Sequence, residues 1–492
     1  MGPISDELGL EQGGPNSSDL YKIYNNEQLT SAQESSFGTT ISGISVASVG
    51  QADDTALISN DISQLQCLLN LTLIYCQKHQ VQLSASKTKL LVFSKQETDY
   101  VKYAKLLSPL HIGNTPIPFA STAEHVGVLC SVSGNLPHIH QRMVNHKRSL
   151  AKILSMGLSK RHRANPIASL RAETVFSTPV LFSGVASLFL TKSESDILAQ
   201  HVKENTESLL KLHAKTPEPV VFFLAGRLPG EALLHLKQLT LFGMICHLPG
   251  NILHNIAVQL LTTASQKSQN WFSGIRSHCF TYNLPHPLLL LKTPPTKEKF
   301  KSLIKANITD FWQAKLRAHS ATLEEKSLRF FKPQFMSLSR PHPMWAGAVT
   351  SYTVNKRVTT ARMLSGRFRC GSLLRHFNPD ISGICELCGK ELEDIPHIIL
   401  PRCPHLLSQA DILRRYAENT LATCPTAFQL FSDIVLNGKD DYLNVQFFVD
   451  PSVIPAVIAA AQVNKHIMEA ILTVTTTWCY SMNRTRCKLL GI

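Results

Sequence analysis

At 492 residues, 44% hydrophobic and 17% charged, the chain is too long for one core and too apolar to be disordered, so two to four globular domains are expected. Aromatics, at 7%, are too sparse for a carbohydrate binder or a repeat array. The net charge of +14 is unevenly placed: residues 1–60 hold eight carboxylates against Lys22 alone, a balance of −7 that leaves +21 for the rest, which suits a protein handling phosphodiesters.

The first fourteen residues lack the basic and apolar regions of a signal peptide. Pro3 and Asp6 break the myristoylation pattern. Gly9-Leu10-Glu11-Gln12-Gly13-Gly14-Pro15-Asn16-Ser17-Ser18 reads as a Gly-rich loop entering a helix. Ser17 or Ser18 would cap that helix, and Leu20, Tyr21, Ile23, Tyr24 and Leu29 would form its apolar face. A domain that opens on such a loop with no strand before it looks cut, so truncation is expected.

Alternation in Ile44, Val46 and Val49, then Ala56-Leu57-Ile58, flanks Asp53-Asp54 and predicts a β-hairpin with the aspartates at its tip. Asp61 stands where an N-cap belongs, and Ile62, Leu65, Leu69, Leu73 and Cys76 predict an amphipathic helix to about His79. Residues 81–93 read as a strand carrying Lys87-Thr88-Lys89. A second hairpin is expected over 110–119, turning at Gly113-Asn114, and a further strand over 125–130.

From Pro137 the apolar residues recur at helical period. Between Glu124 and Glu173 lie 48 residues without a carboxylate. They hold five His and eight cations: Arg142, Lys147, Arg148, Lys152, Lys160, Arg161, Arg163 and Arg171. A solvated helix usually mixes signs, whereas contacts to phosphates account for one sign alone. Another helix is expected over 194–214 and mostly helix over 217–295, with linker composition at 292–296 and 332–343. The apolar stretches near 180–190 and 453–463 are too short to cross a bilayer.

Adjacent aspartates in a tight turn repel each other, and burial would raise their pKa values unless a cation compensates. Mg²⁺ is a natural compensation, although aspartate is also common in turns for local hydrogen-bonding reasons. The neighbouring motifs carry more weight. Gln12-Gly13-Gly14…Asn16-Ser17, Gln51-Ala52-Asp53-Asp54-Thr55-Ala56-Leu57-Ile58-Ser59, Leu83-Ser84…Lys87-Thr88-Lys89…Phe93 and His125-Val126-Gly127-Val128 follow in this order over roughly residues 9–130. Together they resemble the palm of non-LTR (LINE-type) retrotransposon reverse transcriptases.

That resemblance implies an α+β fold: a partial palm over 1–134, with the hairpin inside an antiparallel sheet, a basic helical thumb over 135–215 and a helical connector over 216–380. It implies that Asp53 binds the catalytic Mg²⁺ with Asp54 in support. Gln12, Gly13, Gly14 and Ser17 would approach nucleotide and template, and Lys87 would lie near the phosphates. The chemistry would be two-metal nucleotidyl transfer. RNA template, DNA primer or target and dNTP would be the partners, together with other parts of a retroelement polyprotein, in the nucleus or a cytoplasmic ribonucleoprotein. Two departures stand out. Gln51 replaces the family's aromatic, and the first metal-binding aspartate belongs upstream of the Gln12 loop, where Asp6 lies too close to serve. The fingers are missing too, so the chain is expected to be inactive alone.

The twelve cysteines are scattered except for one cluster, which fits a reduced, intracellular protein. That cluster, Cys385-x₂-Cys388-x₈-His397-x₅-Cys403, spans residues 381–410 and has the ligand types and spacing of a structural Zn²⁺ site, with His405 and Cys370 as outside candidates. The same resemblance includes a knuckle of this kind after the thumb, one residue shorter in its last gap, with Arg362, Arg367, Arg369 and Arg375 as flanking cations for nucleic acid. Residues 411–492 read as a helical closing region. The reading from another class is a non-catalytic nucleic-acid-binding protein that uses the basic thumb and the knuckle.

Overall fold

The computed structural model describes residues 16–51, 53–93, 109–158, 164–263, 268–324, 328–346 and 350–492. The fold is mixed α and β and mostly helical. Among the described residues the β structure consists of four separate two-stranded antiparallel ladders, so the aspartate hairpin stands alone rather than inside a larger sheet. No helix among them is long and apolar enough to cross a membrane. The chain divides into two compact units, each assembled from three segments.

The first unit comprises Met1–Val144, Phe182–Glu194 and Lys237–Ile304. Its helix Ser17–Glu34 starts from Asn16 rather than from a serine cap. The face it buries also differs from the apolar stripe expected: Asn25, Gln28 and Ala32 are buried, while Leu20, Ile23 and Tyr24 are exposed. Polar pairing explains the choice, since Gln28 donates to Thr72 Oγ1 at 3.4 Å and Tyr75 donates to the Tyr24 carbonyl at 2.8 Å. Asp61 caps helix Ile62–Lys78 as its position predicts, accepting from the Ser63 and Gln64 N–H groups at 2.9 and 3.0 Å. That helix joins two small cores, one around Leu69, Leu90, Leu110 and Ile117 and one around Ala32, Ala47 and Leu68.

Two strand expectations need correction. Residues 81–93 form no strand: the Ser84 carbonyl accepts from both Lys87 and Thr88 N–H, curling the segment into a turn, and only Leu90 bridges to Phe119. Residues 125–130 do not run straight either. They turn at Val126 and Gly127, both at positive φ, joining strands Thr122–His125 and Val128–Ser131. Positive φ at both turn positions is the geometry that matches strand twist in a two-residue hairpin, and glycine adopts it without strain. The hairpin over 110–119 forms as expected, pairing Ile112 with Thr115 across Gly113-Asn114.

The second unit comprises Asn145–Leu181, Ser195–Leu236 and Lys305–Ile492. It is helical around the helix Lys465–Leu489, whose residues from Val474 to Cys479 are all buried. Trp478 stacks on Phe448 with ring centroids 4.5 Å apart and donates Nε1–H to the Ile399 carbonyl at 2.9 Å. An aromatic of this size contributes stabilisation on the order of 3–5 kcal/mol when truncation would leave a cavity.

Candidate metal centre and the aspartate hairpin

Cys385 and Cys388 lie on a turn that Gly389 closes by donating to the Cys385 carbonyl at 2.7 Å. The Cys385 N–H donates in turn to the Glu391 carbonyl at 2.8 Å, and Ile384 bridges Leu392, so the chain folds back as a tight hairpin. His397 comes from the short helix Ile395–Ile399, which Asp394 caps, and Cys403 directly precedes the turn Pro404–Leu406. The four side chains thus reach one point from three elements.

Their ligand atoms lie within 4.8 Å of one another. Cys385 Sγ is 4.0 Å from Cys403 Sγ, and Cys388 Sγ is 3.6 Å from His397 Nε2. A tetrahedral zinc with bonds of about 2.3 Å to sulfur and about 2.0 Å to nitrogen sets its ligand atoms about 3.5–3.8 Å apart. The extra residue before Cys403 is therefore accommodated. His397 Nδ1 meets Glu391 Oε2 at 3.2 Å, which leaves Nε2 free to face the sulfurs, as the second ring nitrogen of a zinc-bound histidine usually requires. Burial opposes the Cys388 thiolate. The Lys390 and Glu391 N–H groups, a hydrogen bond with Cys385 and the His397 charge outweigh it and bring the thiol down to about 7. Burial pushes Cys403 up to about 11, against the His405 N–H and with the Cys385 sulfur adding to the rise. Three crowded sulfurs of this kind call for a central cation. His405 and Cys370 stay outside the group, and the Cys370 sulfur meets Ser372 Oγ at 3.2 Å.

The hairpin is fastened to the helical body through Glu393. This buried carboxylate takes two hydrogen bonds of 2.6 Å from Arg486 Nε and Nη2, and a third of 2.8 Å from the Gly371 N–H. Gly371 permits the approach: a Cβ there would lie 2.4 Å from the Gly383 carbonyl oxygen.

Asp53 lies in the two-residue turn between strands Ser48–Gln51 and Asp54–Leu57, with Gln51 paired to Asp54, so the aspartates do sit at the tip. Both are exposed. The hairpin rests on helix Ser17–Glu34, where Gly50 lets Leu29 and Asn25 close in. The Tyr21 phenol is pushed up by burial and then by the Asp53 charge, which sets the acid near that ring. Among the described residues only the Cys₃His set gathers three or more such ligands, so Asp53 and Asp54 stand as a pair. Lys87 is exposed on its turn, and Ser17 opens its helix, partly buried. Gln12, Gly13, Gly14, Lys160, Arg161 and Arg163 lie outside the described residues. Lys147, Arg148 and Lys152 are exposed on helix Leu136–Ile153, whereas Arg142 is partly buried and donates to the Gly127 carbonyl.

The second unit holds two further polar clusters. Glu173, 2% exposed, bonds Arg227 Nη1 at 2.8 Å and both His146 Nε2 and Thr178 Oγ1 at 3.0 Å, and His146 Nδ1 meets His201 Nε2 at 3.1 Å. His342, Asp450 and Ser452 have the composition of a hydrolase triad but not its wiring. Nδ1 accepts from the Met344 N–H at 3.2 Å, so Nε2 carries the proton and faces both Asp450 Oδ2 and Ser452 Oγ at 3.3 Å. A base that already holds a proton toward the serine cannot activate it.

One signal went unread in the sequence. Residues 326–379 form a second carboxylate-free run, 54 residues long with ten Lys or Arg. Counting signs along the chain past residue 172 would have found it. No protein-family model matches the chain, and no curated protein matches it either.

Proposed function

We propose that the chain is a reverse-transcriptase relative of the non-LTR retroelement type that binds nucleic acid through a zinc-stapled helical unit and does not polymerise by itself. The convergence of Cys385, Cys388, His397 and Cys403 carries this reading, because four protein ligands close the shell and make the ion structural. The order of the sequence motifs and the Asp53-Asp54 turn support the lineage. On this reading residues 1–134 are a partial palm, 135–215 a thumb, 216–380 a connector and 381–410 the knuckle. Asp53 and Asp54 would face Mg²⁺ and nucleotide phosphates, but two-metal transfer needs further bridging oxygen ligands.

Elemental analysis of the purified chain is expected to give one zinc per molecule, and Cys388→Ser is expected to lose it. An unchanged zinc load in that variant would remove the knuckle. Primer extension on an RNA template with Mg²⁺ is expected to yield no product, and Asp53-dependent synthesis would overturn the claim of inactivity. Failure of the full chain to retain any single or double strand at low salt would overturn the binding role.

A further inference from the structure

Several cations in the run 326–379 have a structural use in the second unit. Lys356 and Arg357 are buried, and Arg362 donates from Nε and Nη2 to the Lys211 carbonyl at 3.1 and 2.9 Å. Arg329 lies 5.2 Å from the centroid of the Tyr442 ring. The residues just before the metal hairpin differ. Arg369 and Arg375 are exposed, and neither makes a hydrogen bond or ion pair with a described residue. Between them and the Cys₃His hairpin stands Phe377, 64% exposed, with the Arg367 guanidinium 5.3 Å from its ring centroid.

Arg375 and His376 occupy the last turn of helix Gly371–Phe377, where cations complement the helix dipole. That accounts for charge at this position. It does not account for a phenyl ring held out in solvent beneath a guanidinium. The helix is anchored, since the Arg375 Cβ lies where a Cβ on Gly383 would meet it at 3.1 Å and the Gly371 N–H is bonded to Glu393. Phe377 is therefore presented from a fixed support. Of the nearby carboxylates, Glu393 is buried on Arg486, while Glu391, which meets His397, and Asp380 and Glu386 are exposed.

We propose that Phe377, backed by Arg367 and preceded in the chain by the exposed Arg369 and Arg375, is a stacking platform for an unpaired base of single-stranded nucleic acid next to the Cys₃His hairpin in the chain. A flat ring 64% exposed, with a guanidinium on one face and the His376 ring edge-on at 5.3 Å, offers a base the π-surface left over, and the exposed guanidinium groups of the same segment meet the phosphates. Duplex bases are already stacked and cannot reach a lone ring, so the platform selects single strands. The proposal rests on the nucleic-acid reading above and adds the strand type and the residue that grips it.

The test uses the full chain and fluorescence anisotropy with three labelled probes of matched length: a single-stranded oligonucleotide, its abasic counterpart and a duplex. Phe377→Ala is expected to weaken the base-bearing single strand by about 5- to 100-fold. Binding of the abasic strand and the duplex should be unchanged, and Phe377→Trp should bind as wild type with its indole emission quenched by the single strand. Because Phe377 is exposed, the melting temperature of Phe377→Ala should match wild type, which confirms that folding is intact. If Phe377→Ala binds the single strand as tightly as wild type, the platform is wrong while the nucleic-acid reading stands. If the wild-type chain binds none of the three probes, the broader reading fails and this proposal with it.

Discussion

The four-residue chain from His201 to Arg227 shows how single side chains set the pH range of the fold. Glu173 is a buried carboxylate that stays charged: burial pushes its pKa up, but Arg227 and His146 outweigh that and hold it at about 2. His146 Nε2 donates to it at 3.0 Å, and His146 Nδ1 lies 3.1 Å from His201 Nε2. Burial, followed by the charges of His146 and Lys147, brings His201 down to about 4. As pH falls below about 6.5 the unfolded chain takes up a proton at this position, whereas the folded chain resists until about 4. Stability contributed by a neutral His201 is thus present above about 6.5 and lost between there and 4. Glu173 works in a lower window, with its contribution present above about 4.5 and lost as pH falls toward 2. Thermal melts at pH 7 and pH 5 should show a smaller drop in Tm for His201→Gln, whose amide can donate to His146 without titrating. An equal drop in both proteins would rule out His201 as the source. Glu173→Gln would leave the Arg227 guanidinium buried without its counter-ion, a loss on the order of 3–5 kcal/mol that chemical denaturation would read directly.

At the scale of elements, the metal hairpin and the helix Gly371–Phe377 hold each other in place. Adding one methyl group at Gly371 sets a Cβ 2.4 Å from the Gly383 carbonyl, a backbone atom that cannot swing aside. Gly371→Ala is expected to push the hairpin away from that helix and break the Gly371 bond to Glu393, lowering Tm and weakening zinc retention against a chelator; retention equal to wild type would mean that the contact is not needed. These elements also mark how far sequence reading reached. The Asp61 cap and the turns at Asp53 and Gly113 were legible because each depends on residues within a few positions of one another, and the Cys₃His set because its ligand types recur within 18 positions. Residues 81–93 were misread because alternation cannot reveal that the Ser84 carbonyl takes the Lys87 and Thr88 N–H groups. The buried side of helix Ser17–Glu34 was hidden for another reason: Gln28 finds its partner, Thr72, 44 positions further along the chain. The bond from Arg486 to Glu393 spans 93 positions, a distance at which no local pattern carries information.

At the scale of the molecule, two carboxylate-free runs place cations on the same unit: Lys147, Arg148 and Lys152 from the first, Arg369 and Arg375 from the second. Each phosphate neutralised on a single strand releases condensed counterions, so the logarithm of the binding constant falls with the logarithm of salt by about 0.7 per contact. If both runs hold the backbone, Lys147→Ala with Arg148→Ala should flatten that slope by roughly 1.4, and Arg369→Ala with Arg375→Ala by a similar amount. The two effects should add in the fourfold variant, since separate contacts without shared partners are close to additive. Phe377→Ala should behave differently, because a stacked base releases no counterions: affinity falls while the salt slope stays at the wild-type value. Binding isotherms over a salt series therefore separate the electrostatic footprint from the platform. A slope that either pair leaves unchanged would strike that run from the interface, and a slope that Phe377→Ala reduces would recast the ring as support for a cation rather than as the surface a base rests on.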